Sequence, residues 1–396
     1  MTTVSSSPAL LTACSTILMR MLESRSYATD VERNPLIRLM LRETFYKQYC
    51  AGQTKAEIQA TTQQLQDVGF DGVILESALE FLVEDTANAN EEKDVQQWLK
   101  TMLETIELCN PGDFVGVKWS GLGTHALQRL KAKQPPSPLM DKAIRQTCDL
   151  AAERGVRLLP AAEETTTTPT IDEWSMAMQR EYNRGEEAIV YNTYQGYLKS
   201  TPAQISKHLA SAKRDGHILG VKLVRGAYLA TEPRHLIWPT IESTHSAYDT
   251  LVDGLLKRQY NDLMRPHESG KESYPEINVV LATHNAATVK KAQTLRAKQI
   301  EQGIQRVPLA YGQLQGMADE VSCGLIQSAK SQASDGKAVD VPKVFKCTVY
   351  GSTKECLNYL LRRAAENKDA ATRTRESRIA AGQEIRRRVM AMFGLA

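Results

Sequence analysis

Eight short apolar runs, each followed by a helical pattern, constrain this chain more than any other feature. They are GVILE (72–76), FVGVKW (114–119), VRLLP (156–160), AIVYNTY (188–194), LGVKLV (219–224), NVVLAT (278–283), VPLAYG (307–312) and VFKCTVY (344–350). Near-continuous apolar strands are those covered on both faces, and parallel neighbours need a helix-sized crossover between them. Eight such units predict an α/β fold: a distorted (β/α)8 barrel of the TIM type with additional N-terminal and C-terminal helices. A length of 396 residues holds this in one domain.

Helix punctuation supports the reading. Asn34-Pro35 offers a cap and a first-turn proline, and Thr54 with Glu57 opens a helix that stops near Gly69. Similar signals bracket Ser137-Pro138 to Gly155, Thr201-Pro202 to Gly216 and the segment 286–303, while Thr170 with Glu173 opens another helix. A strongly charged helical arm is expected near 83–109. No repeat of fixed period and no low-complexity linker divides the chain, so residues 31–396 read as one catalytic domain. Residues 1–30 read as a flexible segment. Its Ser, Thr, Arg20 and Arg25, with Glu23 the single acidic residue before Asp30, resemble the remnant of a mitochondrial presequence or a disordered tail.

Composition is that of an ordinary globular protein, 42% hydrophobic and 24% charged. A net charge of +3 without aromatic-basic interleaving argues against a nucleic-acid partner. Seven cysteines without a CxxC pair read as free thiols in a reducing compartment. No apolar run reaches the 18 or so residues of a membrane span. No HExxH, Walker A, GxSxG or paired-Cys metal spacing occurs. Gly121-x-Gly123-x-x-Ala126 matches the loose dinucleotide fingerprint, but the strand pattern around it is not that of two mononucleotide-binding halves.

In such barrels the chemistry gathers at the C-terminal ends of the strands. Here those ends carry Lys118, Glu163, Gln195, Arg225 with Tyr228, Thr283-His284-Asn285, Gln313 and Tyr350. In VKLVRGAY (221–228), Lys222 and Arg225 precede Gly226-Ala227, where small residues admit a ligand close to the backbone. ATHNAATV (282–289) sets Thr, His and Asn at a helix N-terminus, which favours phosphate. Past the last strand, Ser352 and Glu355 form a capping box for a helix on which Tyr359, Arg362, Arg363 and Glu366 share one arc. Leu357, Leu360, Leu361 and Ala364 take the other side. Two adjacent guanidiniums, a carboxylate and an aromatic ring make a carboxylate-binding face, or else a solvated charged face.

VKLVRGAY, THN, YGQLQGMAD (311–319), the strand-end Tyr350 and YLLRRAAEN, in that order, resemble the proline dehydrogenase (proline oxidase) family. The likeness covers most of residues 31–370 and is most like fungal mitochondrial members. It implies FAD as cofactor, contacted by Ala162, Gln195, Lys222, Arg225, Gly226, Ala227, Thr283, His284 and Asn285, with Gln313 close by. It implies L-proline as substrate, its carboxylate held by Arg362 and Arg363 and its ring surrounded by Lys118, Tyr228, Leu314, Tyr350 and Tyr359, with Glu366 bracing an arginine. Lys118, Lys222, Tyr350, Arg362 and Arg363 form the implied catalytic set, and Tyr350 would favour proline over hydroxyproline. The implied reaction moves a hydride from the carbon beside the ring nitrogen to the flavin, giving Δ1-pyrroline-5-carboxylate, with electrons passing to a membrane quinone. That implies peripheral attachment on the matrix side of the inner mitochondrial membrane.

One position departs from the family: Ala161-Ala162-Glu163 stands where most relatives have Asp-Ala-Glu, so an aspartate is missing. Glu163 is a partial substitute for it at most. Two other readings stay open. One is a lyase or aldolase forming a Schiff base through Lys118 or Lys222. The other is a non-catalytic proline-binding barrel.

Overall fold

The computed structural model describes residues 8–24, 26–79, 90–266, 274–333 and 340–366, with residues 382, 386, 387 and 390 beyond them. The chain opens with helices α1 (Pro8–Glu23) and α2 (Pro35–Leu41). Asn34 caps α2 by accepting the Leu36 and Ile37 amides, and Pro35 occupies its first turn, as the Asn-Pro pair predicts. A π-helical turn, Arg42–Tyr46, leads on to strand β1 (Cys50–Gly52) and helix α3 (Lys55–Val68), which the Thr54–Glu57 capping box opens and Gly69 closes. The repeating units follow. They are β2 (Gly72–Ser77) with α4 (Glu91–Leu108), then β3 (Phe114–Val117) with α5 (Thr124–Lys131) and α6 (Pro138–Arg154). Next come β4 (Arg157–Pro160) with α7 (Thr168–Tyr182), β5 (Asn192–Gln195) with α8 (Thr201–Asp215), and β6 (Leu219–Val224) with α9 (Ile241–Lys257). The last are β7 (Ile277–Ala282) with α10 (Ala286–Glu301), β8 (Leu309–Leu314) with α11 (Asp319–Ala333), and β9 (Lys343–Tyr350) with α12 (Thr353–Glu366).

Strands β2 to β9 lie parallel in the order β4-β3-β2-β9-β8-β7-β6-β5. The last seam closes between β4 and β5. There the Leu158 amide donates to the Ile189 carbonyl at 2.7 Å, and the Tyr191 amide to the Leu158 carbonyl at 2.9 Å. The result is the predicted eight-stranded barrel, with the short β1 joined to β9 outside the ring. Ile74, Phe114, Leu159, Tyr191, Val280, Ala310 and Phe345 fill the interior, and Phe114 sets its ring edge-on to both Tyr191 and Phe345. The alternate residues, among them Val73, Leu75, Val115, Val221, Leu223 and Val279, pack outward under the helices.

Several elements differ from expectation. The charged helix is no arm: Val95, Trp98, Met102 and Ile106 bury one face of α4, which serves as the crossover from β2 to β3. Its acidic residues Glu91, Glu92 and Asp94 sit in the first turn, where the helix dipole favours them. Residues 83–89 of the expected arm lie outside the described residues. Helix α7 begins at Thr168, and the Thr170 hydroxyl donates to the Leu130 carbonyl instead of capping. Within the segment expected to be flexible, α1 packs Leu18 and Leu22 against Leu357 of α12. Strand β1, buried at all three positions, shows no alternation by which it could be recognised. The dinucleotide-like glycines serve a turn: Gly123 has φ +107°, and a Cβ there would lie 2.5 Å from the Asp94 carboxylate.

One buried ion pair ties α10 to the chain entering β9. Arg296, 7% exposed, holds Asp340 through Nη2 at 2.8 Å and donates from Nη1 to the Val307 carbonyl. Arg306 reaches the same carboxylate. Arg296→Met strands part of that carboxylate in the interior and should destabilise the protein by about 3 kcal/mol. Chemical denaturation measures this, and a loss under about 1 kcal/mol would put the pair in the class of surface bridges.

Candidate active site

The parity of the strands decides which polar side chains enter the barrel. On β6, Val221 and Leu223 belong to the outer core, so Lys222 between them turns inward, in register with the interior Val280. On β2, Ile74 faces inward and Glu76, two residues on, shares its side. On β9 the inward residues are Phe345 and Cys347. The Cys347 Sγ lies 3.7 Å from the Glu76 Oε1. Burial, with the Glu76 charge second, raises the Cys347 thiol well above its ordinary value, and the Lys222 ammonium opposes the rise. Glu76, Cys347 and Lys222 therefore share one electrostatic neighbourhood at the mouth.

Arg225, just past β6, is fixed on every side. Its Nη1 donates to the Thr283 hydroxyl at 2.5 Å, its Nη2 to Thr288 at 2.8 Å and its Nε to His245 Nδ1 at 3.1 Å. The guanidinium carbon lies 4.2 Å from the Tyr248 ring centroid. Thr288 in turn donates to Asp249, which also pairs with Lys291. Asn285 caps α10 through the Thr288 amide, and His284 accepts the Leu314 amide on Nε2, which puts the proton of the neutral ring on Nδ1. Gly226 has φ +151°, and a Cβ there would lie 2.3 Å from the Tyr197 ring. Only glycine makes this turn.

The two glutamines are held by backbone groups at the mouth. Gln195 is 3% exposed. Its amide donates to the Glu163 carbonyl and accepts from the Ala227 amide at 3.2 Å, which braces the Gly226-Ala227 turn. Gln313, 1% exposed, donates to the Thr283 carbonyl and accepts from Ser322. Both shape the backbone that a ligand would meet.

Helix α12 carries the arginine pair. Ser352 and Glu355 form the predicted capping box at its start. Leu357 is 2% exposed and faces α1, while Tyr359 is buried and its hydroxyl donates to Glu76 Oε2 at 3.0 Å. The Arg363 guanidinium carbon lies 5.5 Å from the centroid of that ring. Burial, then the Glu76 charge, holds the Tyr359 phenol well above its ordinary value, so it stays a donor. Arg362 and Arg363 are half-buried and the Nε atoms of both are buried, so this face is not a solvated stripe. The Glu366 side chain lies outside the described residues.

Lys118 and the residues after β4 make a second group. Ser120 donates to Glu163 at 2.6 Å. Burial raises the Glu163 carboxyl, with Ser120 and the Lys118 charge opposing. Glu163 thus stands near Lys118, while Ala161 donates its amide to the Val117 carbonyl. Ala162, Tyr228 and Leu314 are half-buried at the same ends of their strands.

Tyr350 is the correction. Strand alternation turns it outward, against the cluster under α4, and its hydroxyl lies 2.6 Å from that of Thr105. It does not face the interior beside Lys222. Sequence reasoning also missed Glu76, His245, Thr288 and Glu232. The last of these clamps Thr165 through both carboxylate oxygens. Only Glu76 carried a signal, a carboxylate two residues after an inward Ile in an otherwise apolar strand.

The arrangement suits a planar, anionic group. Lys222 and the immobilised Arg225 supply fixed positive charge, the start of α10 supplies a dipole, and Gly226 is exposed between them and Tyr228. A flavin dinucleotide is a group of this kind.

Comparison with known proteins identifies the family. The sequence matches the proline dehydrogenase family over residues 58–376. It is 28% identical to the mitochondrial proline dehydrogenase 1 of Dictyostelium discoideum over 389 residues, covering 84% of this chain and 62% of that one. Against the Caenorhabditis elegans protein of the same name it is 29% identical, over 88% of this chain and 54% of the other. Against rat hydroxyproline dehydrogenase it is 27% identical, over 89% and 83%. The chain thus spans about half to three fifths of the length of the mitochondrial proline dehydrogenases it matches first. Among solved structures, proline utilization A from Bdellovibrio bacteriovorus shares the fold with a TM-score of 0.70 at 16% identity, over 92% of this chain and 37% of that one. By the extent of the family match, this chain belongs to the proline dehydrogenase family.

Proposed function

We propose that the chain oxidises L-proline with FAD to Δ1-pyrroline-5-carboxylate and passes the electrons to a membrane quinone. The observation that carries the reading is the half-buried Arg362–Arg363 pair, with Arg363 lying on Tyr359, whose hydroxyl is tied to Glu76 inside the barrel. Two guanidiniums held in this way suit a single small carboxylate, and planar forks of this kind fix its orientation. The flavin supplies the two-electron acceptor for the carbon–hydrogen bond that breaks. The chain's own part is to hold and orient. Arg362 and Arg363 direct the carbon beside the ring nitrogen toward the mouth, an entropy effect more than a chemical one. Lys222 and Arg225 present fixed positive charge where negative charge develops. Helix α12 covers the site and limits water. The amine proton leaves to solvent.

The names of the Dictyostelium and Caenorhabditis relatives support a mitochondrial location. Among the described residues no helix is long and apolar enough to cross a membrane. The rat relative's name makes hydroxyproline the substrate to compare.

The deciding experiment is optical. Purified protein should show flavin absorbance that bleaches anaerobically on adding L-proline. A colourless protein trapped by borohydride with a carbonyl substrate would favour the Schiff-base reading, and colour without bleaching the non-catalytic one. Arg363→Lys should retain flavin while raising the KM for proline at least about tenfold, because an ammonium cannot reproduce the fork. An unchanged KM would remove Arg363 from the substrate. Since Tyr350 turns toward Thr105, Tyr350→Ser should lower the melting temperature and leave the ratio of kcat/KM for proline over hydroxyproline within about twofold. A large change in that ratio would return the residue to the substrate site.

A further inference from the structure

We propose that Glu76 is a positioning residue for the carboxylate grip, holding Tyr359 so that its ring supports Arg363; this rests on the reading that the mouth binds proline. Both oxygens of Glu76 meet residues of the mouth. Oε2 accepts from the Tyr359 hydroxyl of α12 at 3.0 Å, and Oε1 faces the Cys347 thiol of β9 at 3.7 Å. The barrel is shaped to admit this carboxylate. On the neighbouring β3, a Cβ at Gly116 would lie 2.4 Å from the Glu76 Cγ, so a side chain there would expel it.

The chain of support runs outward from a rigid strand. The Glu76 backbone is in register with Val349 of β9, and its strand is bonded to β3 at Ile74 and Leu75, so its Cα is fixed by the barrel itself. Tyr359 is 8% exposed and cannot change rotamer without vacating the core it shares with Tyr46, Cys50 and Val349. Arg363 then lies on a ring that is held at its edge and at its hydroxyl. A guanidinium is long and flexible, and what it needs for two-pronged recognition is an immobile surface to lie on. Glu76 provides the far end of that surface without touching the ligand.

Binding without turnover tests this. The probe is tetrahydrofuran-2-carboxylate, which keeps the ring and the carboxylate but lacks the amine, titrated calorimetrically into flavin-loaded protein. Glu76→Leu and Tyr359→Phe should each raise its Kd about tenfold, and the double variant should bind no more weakly than either single one. Glu76→Gln keeps an acceptor oxygen and should stay within about threefold of wild type. If the double variant's loss is the product of the two single losses, or if the singles lower only the melting temperature, the inference is overturned. Should Glu76→Leu not fold, Tyr359→Phe decides: a tenfold loss upholds the role and an unchanged Kd removes it. A wild-type protein that neither binds the probe nor bleaches with proline overturns the proposed function as well. One that does both while the variants match it overturns the role of Glu76 alone.

Discussion

The two-residue period of the barrel strands governs everything at the mouth. Lower in the cylinder the inward positions are apolar, and Ile74, Phe114, Leu159, Val280 and Phe345 plug it. Two residues further along the same strands, the same parity presents Glu76, Gly116 and Cys347, while Lys222 enters from β6. The plug keeps water from reaching the site from below, and the closed hydrogen-bond ring holds each Cα in place. Charges on so stiff a frame need little reorganisation when a ligand arrives. That is the condition under which fixed dipoles are most effective.

The same parity explains what was readable in the sequence and what was not. The eight strands were legible because each is a compact apolar run bounded by helix signals. The caps at Asn34, Thr54, Ser137 and Ser352 were legible because capping is local chemistry, acting over three residues. The arginine helix was legible as a motif, but its burial was not. A helix with charges on one arc looks alike whether that arc faces water or a barrel mouth. Tyr350 was misplaced for a related reason. Being at a strand end does not say which side of the strand a residue takes, and one position's difference reverses it.

Other features were out of reach because they join distant parts of the chain. The cradle around Arg225 draws on Thr283, Thr288 and His245, which lie 58, 63 and 20 residues away. Gln195 and Gln313 were readable as polar strand ends, but their bonds to backbone groups 30 and 32 residues off were not. Charged helix α4 looked detached because its acidic first turn outweighed the buried stripe of Val95, Trp98 and Met102 in a simple reading of charge.

Helix α1 gives the fold an unexpected dependence. Leu18 and Leu22 lie against Leu357 on the outer side of α12, opposite the Tyr359 ring that faces Glu76. The arginine helix is therefore gripped between the barrel and α1. Trimming the polypeptide beyond Leu22, whether by a processing protease or in an expression plasmid, would strip Leu357 of two of its apolar partners and leave α12 less firmly backed. Helix α1 thus acts as a wedge behind a helix more than three hundred positions further along the chain.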